Sequence, residues 1–263
     1  MTSERLSQQA FFGGSALVFA VSATLTAVWC ASMPAMRRMP MPGGWTMSIT
    51  WMRLPSQNWP GVAASFLGMW MVMMMAMMMP SLVPMLHRYR EAASRTSETR
   101  LDRLTALVGA GYFFVWTALG IIVFPLGVVL ATVEMRLPPV ARAVPLAIGV
   151  VVLIAGALQL TAWKSRQLSC CHEDPACAHK MPANPGTAWR HGLRLGVRCS
   201  YCCAGLTAIL LVAGVMDLRA MAAVAAAITA ERLAPAGERV ARITGAVIVG
   251  TGFFLIVRAV GLG

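Results

Sequence analysis

The chain has 263 residues, of which 58 % are hydrophobic and 12 % are charged, and its formal net charge is +12. A soluble domain carries roughly twice that share of charged residues, so this composition excludes an ordinary water-soluble domain. The basic excess does not indicate a nucleic-acid partner, because the arginines occupy short segments between apolar runs and leave no soluble basic face for a duplex.

The apolar runs predict an all-α fold: a polytopic transmembrane helix bundle that forms a single membrane domain over residues 1–263. A bilayer core of about 30 Å requires about 20 helical residues. About seven helices are expected, and six is the alternative count, because the run at 216–233 is apolar only in its alanine-rich middle. The first run is too long for the core of a signal peptide and is expected to be retained. The helices are predicted near 11–33, 62–86, 104–133, 144–163, 199–215, 216–233 and 243–260, with a cysteine-rich loop at 164–198.

The basic residues are distributed unevenly between the connecting segments. If seven helices cross the membrane, the segments on one side, which include the N-terminus, hold fifteen of the 22 lysines and arginines. The segments on the other side hold seven. Because cytoplasmic loops carry the excess, this pattern predicts that the N-terminus and the cysteine-rich loop are cytoplasmic and that the segment 34–61 faces outward. The expected location is the bacterial inner (plasma) membrane, with the protein crossing the lipid bilayer several times.

Methionine is concentrated in the first connecting loop and in the second apolar run. Thioether sulfur is a soft, uncharged ligand that favours Cu(I). In the second run, residues at one-turn spacing can share an ion between neighbours, although methionine is also a flexible apolar filler. The loop has no core to fill, so its methionines are stronger candidates for capturing a metal. The candidate ligands are Met71, Met75 and Met79 in the helix, and Met33, Met36, Met39 and Met41 in the loop.

Six of the seven cysteines lie between residues 170 and 203. Cys199, Cys202 and Cys203 are spaced to place three thiols on one face of one helical turn, at the start of the predicted fifth helix. Such a set at a membrane edge suits Cu(I), or as second choice Zn(II) with a fourth ligand. Burial as a small apolar residue is the competing interpretation for any single cysteine. The preceding loop adds further candidate ligands: Cys170, Cys171, Cys177 and His172.

Three polar residues fall within or beside apolar runs. Gln159 is expected to form a hydrogen bond between helices. Asp217 and Glu231 lie at predicted helix ends beside Arg219 and Arg232 and are expected to form paired charges at the membrane interface. The sequence shows no triad, phosphate loop or HExxH motif, so an enzymatic activity is left open but is not favoured.

The run from Trp70 to Met85 resembles the signature of an uncharacterised bacterial family, the predicted metal-binding integral membrane proteins of domain of unknown function 2182. The resemblance covers roughly residues 60 to 260 and implies a membrane protein associated with copper. Gln167 stands where the family usually has the first of two loop cysteines, and Asp217 stands where an asparagine is expected. The other positions that carry the resemblance are Gly156, Gln159, Lys164, Gly196, Cys199, Cys202, Cys203, Gly214, Met216, Met221, Glu231 and Pro235.

The leading interpretation is a copper-handling membrane protein that binds Cu(I) and either transports it or delivers it to a copper enzyme. Outer methionines would capture the ion, the second helix would pass it inward, and cytoplasmic cysteines would receive it. The implied partners are a copper chaperone or a copper enzyme, and a homo-oligomer is compatible with the sequence. Two alternatives stay open. One is a membrane thiol oxidoreductase using Cys202 and Cys203 with a cysteine of the preceding loop, because adjacent cysteines are awkward disulfide partners for each other. The other is a scaffold subunit of a membrane complex, with structural cysteines.

Overall fold

A computed structural model describes residues 2–32, 38–41, 45–48, 51, 58–93, 98–172, 184–214 and 217–261 of the chain. Within these residues the chain forms eight helices and one antiparallel hairpin, whose strands pair Met39 with Met47. The elements in chain order are α1 (Thr2–Ser32), β1 (Arg38–Met41), β2 (Trp45–Ser48), α2 (Trp59–Ala92), α3 (Glu98–Arg136), α4 (Pro138–Gln159), α5 (Ala162–His172), α6 (Pro185–Ala213), α7 (Leu218–Leu233) and α8 (Gly237–Gly261).

Side chains next to the helix ends explain where several helices begin. Asn58 and Asn184 each accept a hydrogen bond from a backbone N–H in the first turn of α2 and α6, and a proline follows each asparagine within two residues. These are favourable N-terminal signals. The Asp217 carboxylate accepts hydrogen bonds from the backbone N–H groups of Arg219 (2.8 Å) and Ala220 (3.1 Å). This carboxylate therefore caps α7, where the sequence predicted an interfacial ion pair.

Among the helices of the described residues, six are long and apolar enough to cross a membrane: α1, α2, α3, α4, α6 and α8. Their outward faces carry large exposed apolar side chains, such as Ile122 and Val129 on α3 and Phe253 and Phe254 on α8. Contiguous apolar surface of this kind is rare on soluble proteins. The prediction of an all-α helix bundle is confirmed, and the six helices indicate a membrane protein.

Helix α8 runs antiparallel to α4 at very close range. Gly156 lies against Val249, and Gly252 lies against Leu153. A Cβ atom added to Gly252 would stand 2.6 Å from the backbone nitrogen of Leu153, so only glycine permits this approach. Close backbone contact through glycine is a usual way for helices to associate in lipid.

Helices α3 and α6, in contrast, run parallel. Val108 faces Gly192, and Val115 faces Gly196, so the contacts advance in the same direction along both helices. Since α4 follows α3 directly and α8 begins beside the end of α4, the chain must turn back after α6 and run along it in α7 towards the start of α8. With 16 residues, α7 is about 24 Å long and is too short to count among the six apolar spans. It returns along the second half of α6 as far as Cys199, which Arg232 contacts from the last turn of α7.

Candidate metal centre

The three clustered cysteines lie near the middle of α6. This helix begins at Pro185, because Asn184 caps it and the intervening residues continue the helical turns. The side chains of Cys199, Cys202 and Cys203 are consequently buried deep in the bundle, with 0 %, 3 % and 1 % exposure. The prediction that these thiols open a helix was wrong, because the segment 164–198 contains most of α5 and the first half of α6.

Two thiols and one thioether come together at this position. The Cys199 Sγ lies 3.8 Å from the Cys203 Sγ and 3.9 Å from the Sδ of Met78, which α2 supplies. Cys203 and Met78 are almost completely buried. Within the described part of the chain, no group of three His, Cys, Asp or Glu side chains is placed to hold a metal ion. The third sulfur of this cluster instead comes from methionine, and thiolate with thioether is a soft donor set of the kind that selects Cu(I).

Two hydrogen-bond donors point at the same sulfur atom. The Tyr112 hydroxyl of α3 donates to the Cys199 Sγ at 2.9 Å, and the Arg232 guanidinium of α7 donates to it at 3.0 Å. The same guanidinium donates to the Ser81 hydroxyl at 3.2 Å and lies 3.7 Å from the Met85 Sδ. A cation and a hydroxyl aimed at one sulfur stabilise negative charge on it. The surroundings therefore favour a thiolate, which is the form that binds metals.

A second buried network lies next to the sulfur cluster. The Lys164 Nζ lies 2.8 Å from a carboxylate oxygen of Glu231, and Gln159 donates to the other oxygen at 2.7 Å. Lys164 also donates to the backbone carbonyl of Cys202 at 2.6 Å. The prediction that Gln159 bonds between helices is confirmed. The prediction that Glu231 pairs with Arg232 was wrong, because its carboxylate is buried against Lys164 of α5. The network holds α4, α5 and α7 against the helix that carries the cysteines.

The methionines of α2 occupy different environments. Met71 is half-buried, and its Sδ accepts a hydrogen bond from Thr117 at 2.9 Å. Met75 is also half-buried, and Met79 lies in the core. The thioether that lies against Cys199 belongs to Met78, which the one-turn spacing did not select. Methionines lie on every side of this helix, so only the tertiary contact between Met78 and Cys199 identifies which methionine faces the cysteines.

The structure does not place the side chains of the remaining predicted ligands, so their roles stay predictions. Three of them lie outside the described residues: Met33, Met36 and Cys177. The others lie in described backbone only, either in β1 or in the last part of α5: Met39, Met41, Cys170, Cys171 and His172.

Three residues of the site were missed or misread in the sequence. Met78 was one of nine methionines between residues 69 and 85. Tyr112 carried a signal, since it is one of three tyrosines in the chain and lies in an apolar run. Arg232 was expected at the membrane interface because it lies at the end of the weakly apolar run 216–233. Its contact with Cys199 depends on the return of α7 along α6, which no local pattern reveals.

The buried sulfur cluster in a bundle of apolar helices defines a class: a helical membrane protein whose candidate functional centre suits a soft metal. A model of the PpoB2 copper chaperone family matches residues 67–255. This match covers most of the chain and both helices that supply the sulfurs, so the chain belongs to the PpoB2 copper chaperone family and has a copper-handling role. The copper association implied by the sequence resemblance is thereby supported. No curated protein and no solved structure matches the chain.

Proposed function

We propose that this protein is a membrane-embedded chaperone that binds Cu(I) through Cys199, Cys203 and Met78 and delivers it to a copper enzyme. The observation that carries the proposal is the convergence of these three sulfurs in one buried position. Thiolates and thioethers are the ligands that favour Cu(I) over harder ions. Copper is the cargo in this scheme and leaves the protein when it is delivered.

The mixed ligand set suits a delivery function. The two cysteine thiolates are charged and bind Cu(I) strongly, whereas the Met78 thioether is neutral and binds it more weakly. An incoming ligand from a partner can therefore replace the thioether first, while both thiolates still hold the ion. Binding releases the proton of Cys203, because Tyr112 and Arg232 already favour the thiolate of Cys199, and no electrons are transferred. The contact between Met78 and Cys199 supports this division, because the two residues belong to different helices.

The methionines provide a route between this site and the outer end of the bundle. On α2, Met75 precedes Met78 by about one turn and Met71 precedes it by about two turns, and both are half-buried. Cu(I) would be exchanged between them and the loop methionines Met39 and Met41. Cys170 and Cys171 in the last turn of α5, together with Cys177, would offer a second exchange point at the other end of the bundle.

The distribution of lysine and arginine supports an orientation for this route. It places the N-terminus and residues 164–198 in the cytoplasm of a bacterial cell, and the segment 34–61 outside the inner membrane. The whole chain would act as one domain in the lipid bilayer, with a copper enzyme as the receiving partner. Inward transport of copper would use the same ligands and is the outcome that copper uptake measurements would distinguish from delivery.

Metal analysis of the protein purified anaerobically in detergent tests the proposal. We expect about one Cu(I) per chain, resistant to a competing chelator, and lost in the variants Cys199→Ser and Cys203→Ser. Met78→Leu should retain copper but release it to lower chelator concentrations. Cys30→Ser and Met74→Leu are matched controls, because they alter a cysteine of α1 and a buried methionine of α2.

Two results would overturn the proposal. One is the absence of bound copper in the wild-type protein after anaerobic loading. The other is copper that Cys199→Ser and Cys203→Ser hold as tightly as the wild type does. The Cys199 and Cys203 sulfurs are 3.8 Å apart, and a disulfide requires about 2.05 Å. A protein that binds no copper but reversibly closes that gap under oxidant would be the thiol oxidoreductase instead, which mass spectrometry of alkylated thiols would reveal.

A further inference from the structure

Arg232 is a buried guanidinium in direct contact with the sulfur cluster. Its side chain belongs to the last turn of α7 and is 6 % exposed. One nitrogen lies 3.0 Å from the Cys199 Sγ and 3.2 Å from the Ser81 hydroxyl, and the other lies 3.7 Å from the Met85 Sδ. Burial of a charged side chain in a helix bundle is costly, and such residues are functional candidates.

The position of this charge is fixed by the helix that carries the thioether ligand. The Ser81 hydroxyl that accepts from Arg232 donates in turn to the backbone carbonyl of Met78, at 3.0 Å. The guanidinium is thus held by one turn of α2 on one side and by Cys199 on the other. Arginine suits this place because its planar group donates several hydrogen bonds at once and remains protonated at physiological pH.

The charge of the site depends on the ion that it holds. Cysteines bind metals as thiolates, so Cys199 and Cys203 together contribute two negative charges. A monovalent ion leaves one negative charge over, and the Arg232 guanidinium neutralises it. A divalent ion already neutralises both thiolates, so the ligand sulfurs then present no net negative charge to the guanidinium and the site gains one positive charge. In a buried site such a charge is strongly unfavourable.

The neighbouring lysine does not act in the same way. Lys164 lies 2.8 Å from the Glu231 carboxylate, so these two charges compensate each other. Its ammonium group also donates to the backbone carbonyl of Cys202. Arg232, in contrast, donates directly to a ligand sulfur.

We propose that Arg232 determines the metal specificity of this protein, by making the site of Cys199, Cys203 and Met78 select a monovalent soft ion over a divalent one. This inference rests on the proposed function, since it assumes that these sulfurs bind the metal. The inference assigns the selection of the ion to a residue that is not itself a ligand. It also predicts that the site binds Ag(I), which has the same charge as Cu(I) and is similarly soft.

The affinities of the purified protein for Cu(I), Ag(I) and Zn(II), each measured by chelator competition, test the inference. The variant Arg232→Met removes the charge but keeps a long flexible side chain. We expect it to lose about tenfold or more in affinity for Cu(I) and Ag(I) relative to Zn(II), which corresponds to about 1.4 kcal/mol. Arg232→Lys keeps the charge and should keep the wild-type ratio of affinities. Arg90→Met is the matched control, because Arg90 is equally buried but is bonded to Asp102 and Ser7.

A merely structural role for Arg232 would give a different pattern. In that case Arg232→Met would lower the affinities for all three ions by the same factor, or would not change them. Either way the ratio of affinities would stay as in the wild type, and this result would overturn the inference. Ser81→Ala serves as a milder variant if Arg232→Met does not fold, and it should shift the ratio in the same direction by a smaller factor. Cys199→Ser separates the two proposals. If it retains copper, the proposed function fails; if it loses copper while Arg232→Met keeps the wild-type ratio, only the inference fails.

Discussion

Two regions of the bundle differ in the groups that they bury. The α4–α8 pair packs through glycines, with Gly156 and Gly252 lying directly against the backbone of the opposite helix. The region formed by α2, α3, α6 and α7 buries polar and sulfur-containing groups, including Tyr112, Cys199 and Arg232. Lipid tails are as apolar as leucine, so no hydrophobic force drives helices together in a membrane. Close packing is sufficient for the first region, whereas the second retains groups that are costly to bury, which indicates function.

The largest expected effect is the loss of the buried ion pair beside the sulfur site. Lys164→Met leaves the Glu231 carboxylate buried without its cation, and removal of one partner of such a pair costs about 3–5 kcal/mol of unfolding free energy. We expect the variant to unfold at a much lower SDS fraction in detergent micelles than the wild type does.

The double variant Lys164→Met/Glu231→Gln is the control for this effect. It removes both charges, so most of the lost stability should return, because the burial of two charges is itself unfavourable. If the double variant were as unstable as the single one, an unpaired buried charge would not be the cause of the lost stability. Buried charge would then no longer distinguish the two regions.

A smaller effect is expected in the α4–α8 pair. Gly252→Ala places a methyl group against the backbone of Leu153, and overpacking of this kind costs about 1–3 kcal/mol. Gly250→Ala, two residues earlier on the same helix, meets no atom within 4 Å and should leave stability almost unchanged. Thermal unfolding followed by circular dichroism measures both.

The copper content of the same variants sharpens the comparison. Since α8 supplies none of the three sulfur ligands, Gly252→Ala protein that remains folded should bind Cu(I) as the wild type does. Gly111→Ala, which pushes α3 against the backbone of α6 at Trp189, should lower stability and copper retention together. Equal copper loss in both variants would contradict the assignment of metal binding to one region.

The smallest effect is expected from a single hydrogen bond to the candidate ligand. Tyr112→Phe removes the hydroxyl that donates to Cys199, and such a bond between membrane helices averages about 0.6 kcal/mol. The affinity for Cu(I) should fall by a few-fold, because the thiolate loses one donor but keeps Arg232. Tyr201→Phe, on the exposed face of the same helix as Cys199, is the matched control. An unchanged chelator competition curve for Tyr112→Phe would show that this hydroxyl does not contribute to Cu(I) binding.

The helices could be predicted from composition, because a run of about 20 apolar residues has few alternatives to a membrane helix. The cysteine cluster was identifiable for a similar reason, since its spacing fixes one face of a helix wherever that helix begins. The start of α6 was misplaced because its first half carries Arg190, Arg194 and Arg198, which interrupt the apolar run without breaking the helix.

The sequence by itself determined that the chain is a helical bundle, that soft sulfur ligands are concentrated in two of its helices, and that Gln159 would bond across helices. These properties follow from local periodicity and from the chemistry of single side chains. Only the tertiary structure decided which methionine meets the cysteines and that Glu231 pairs with Lys164. It alone also decided that Arg232 reaches Cys199. Each of these contacts joins residues far apart in the chain, and it exists only because α2, α5, α6 and α7 pack around the same position.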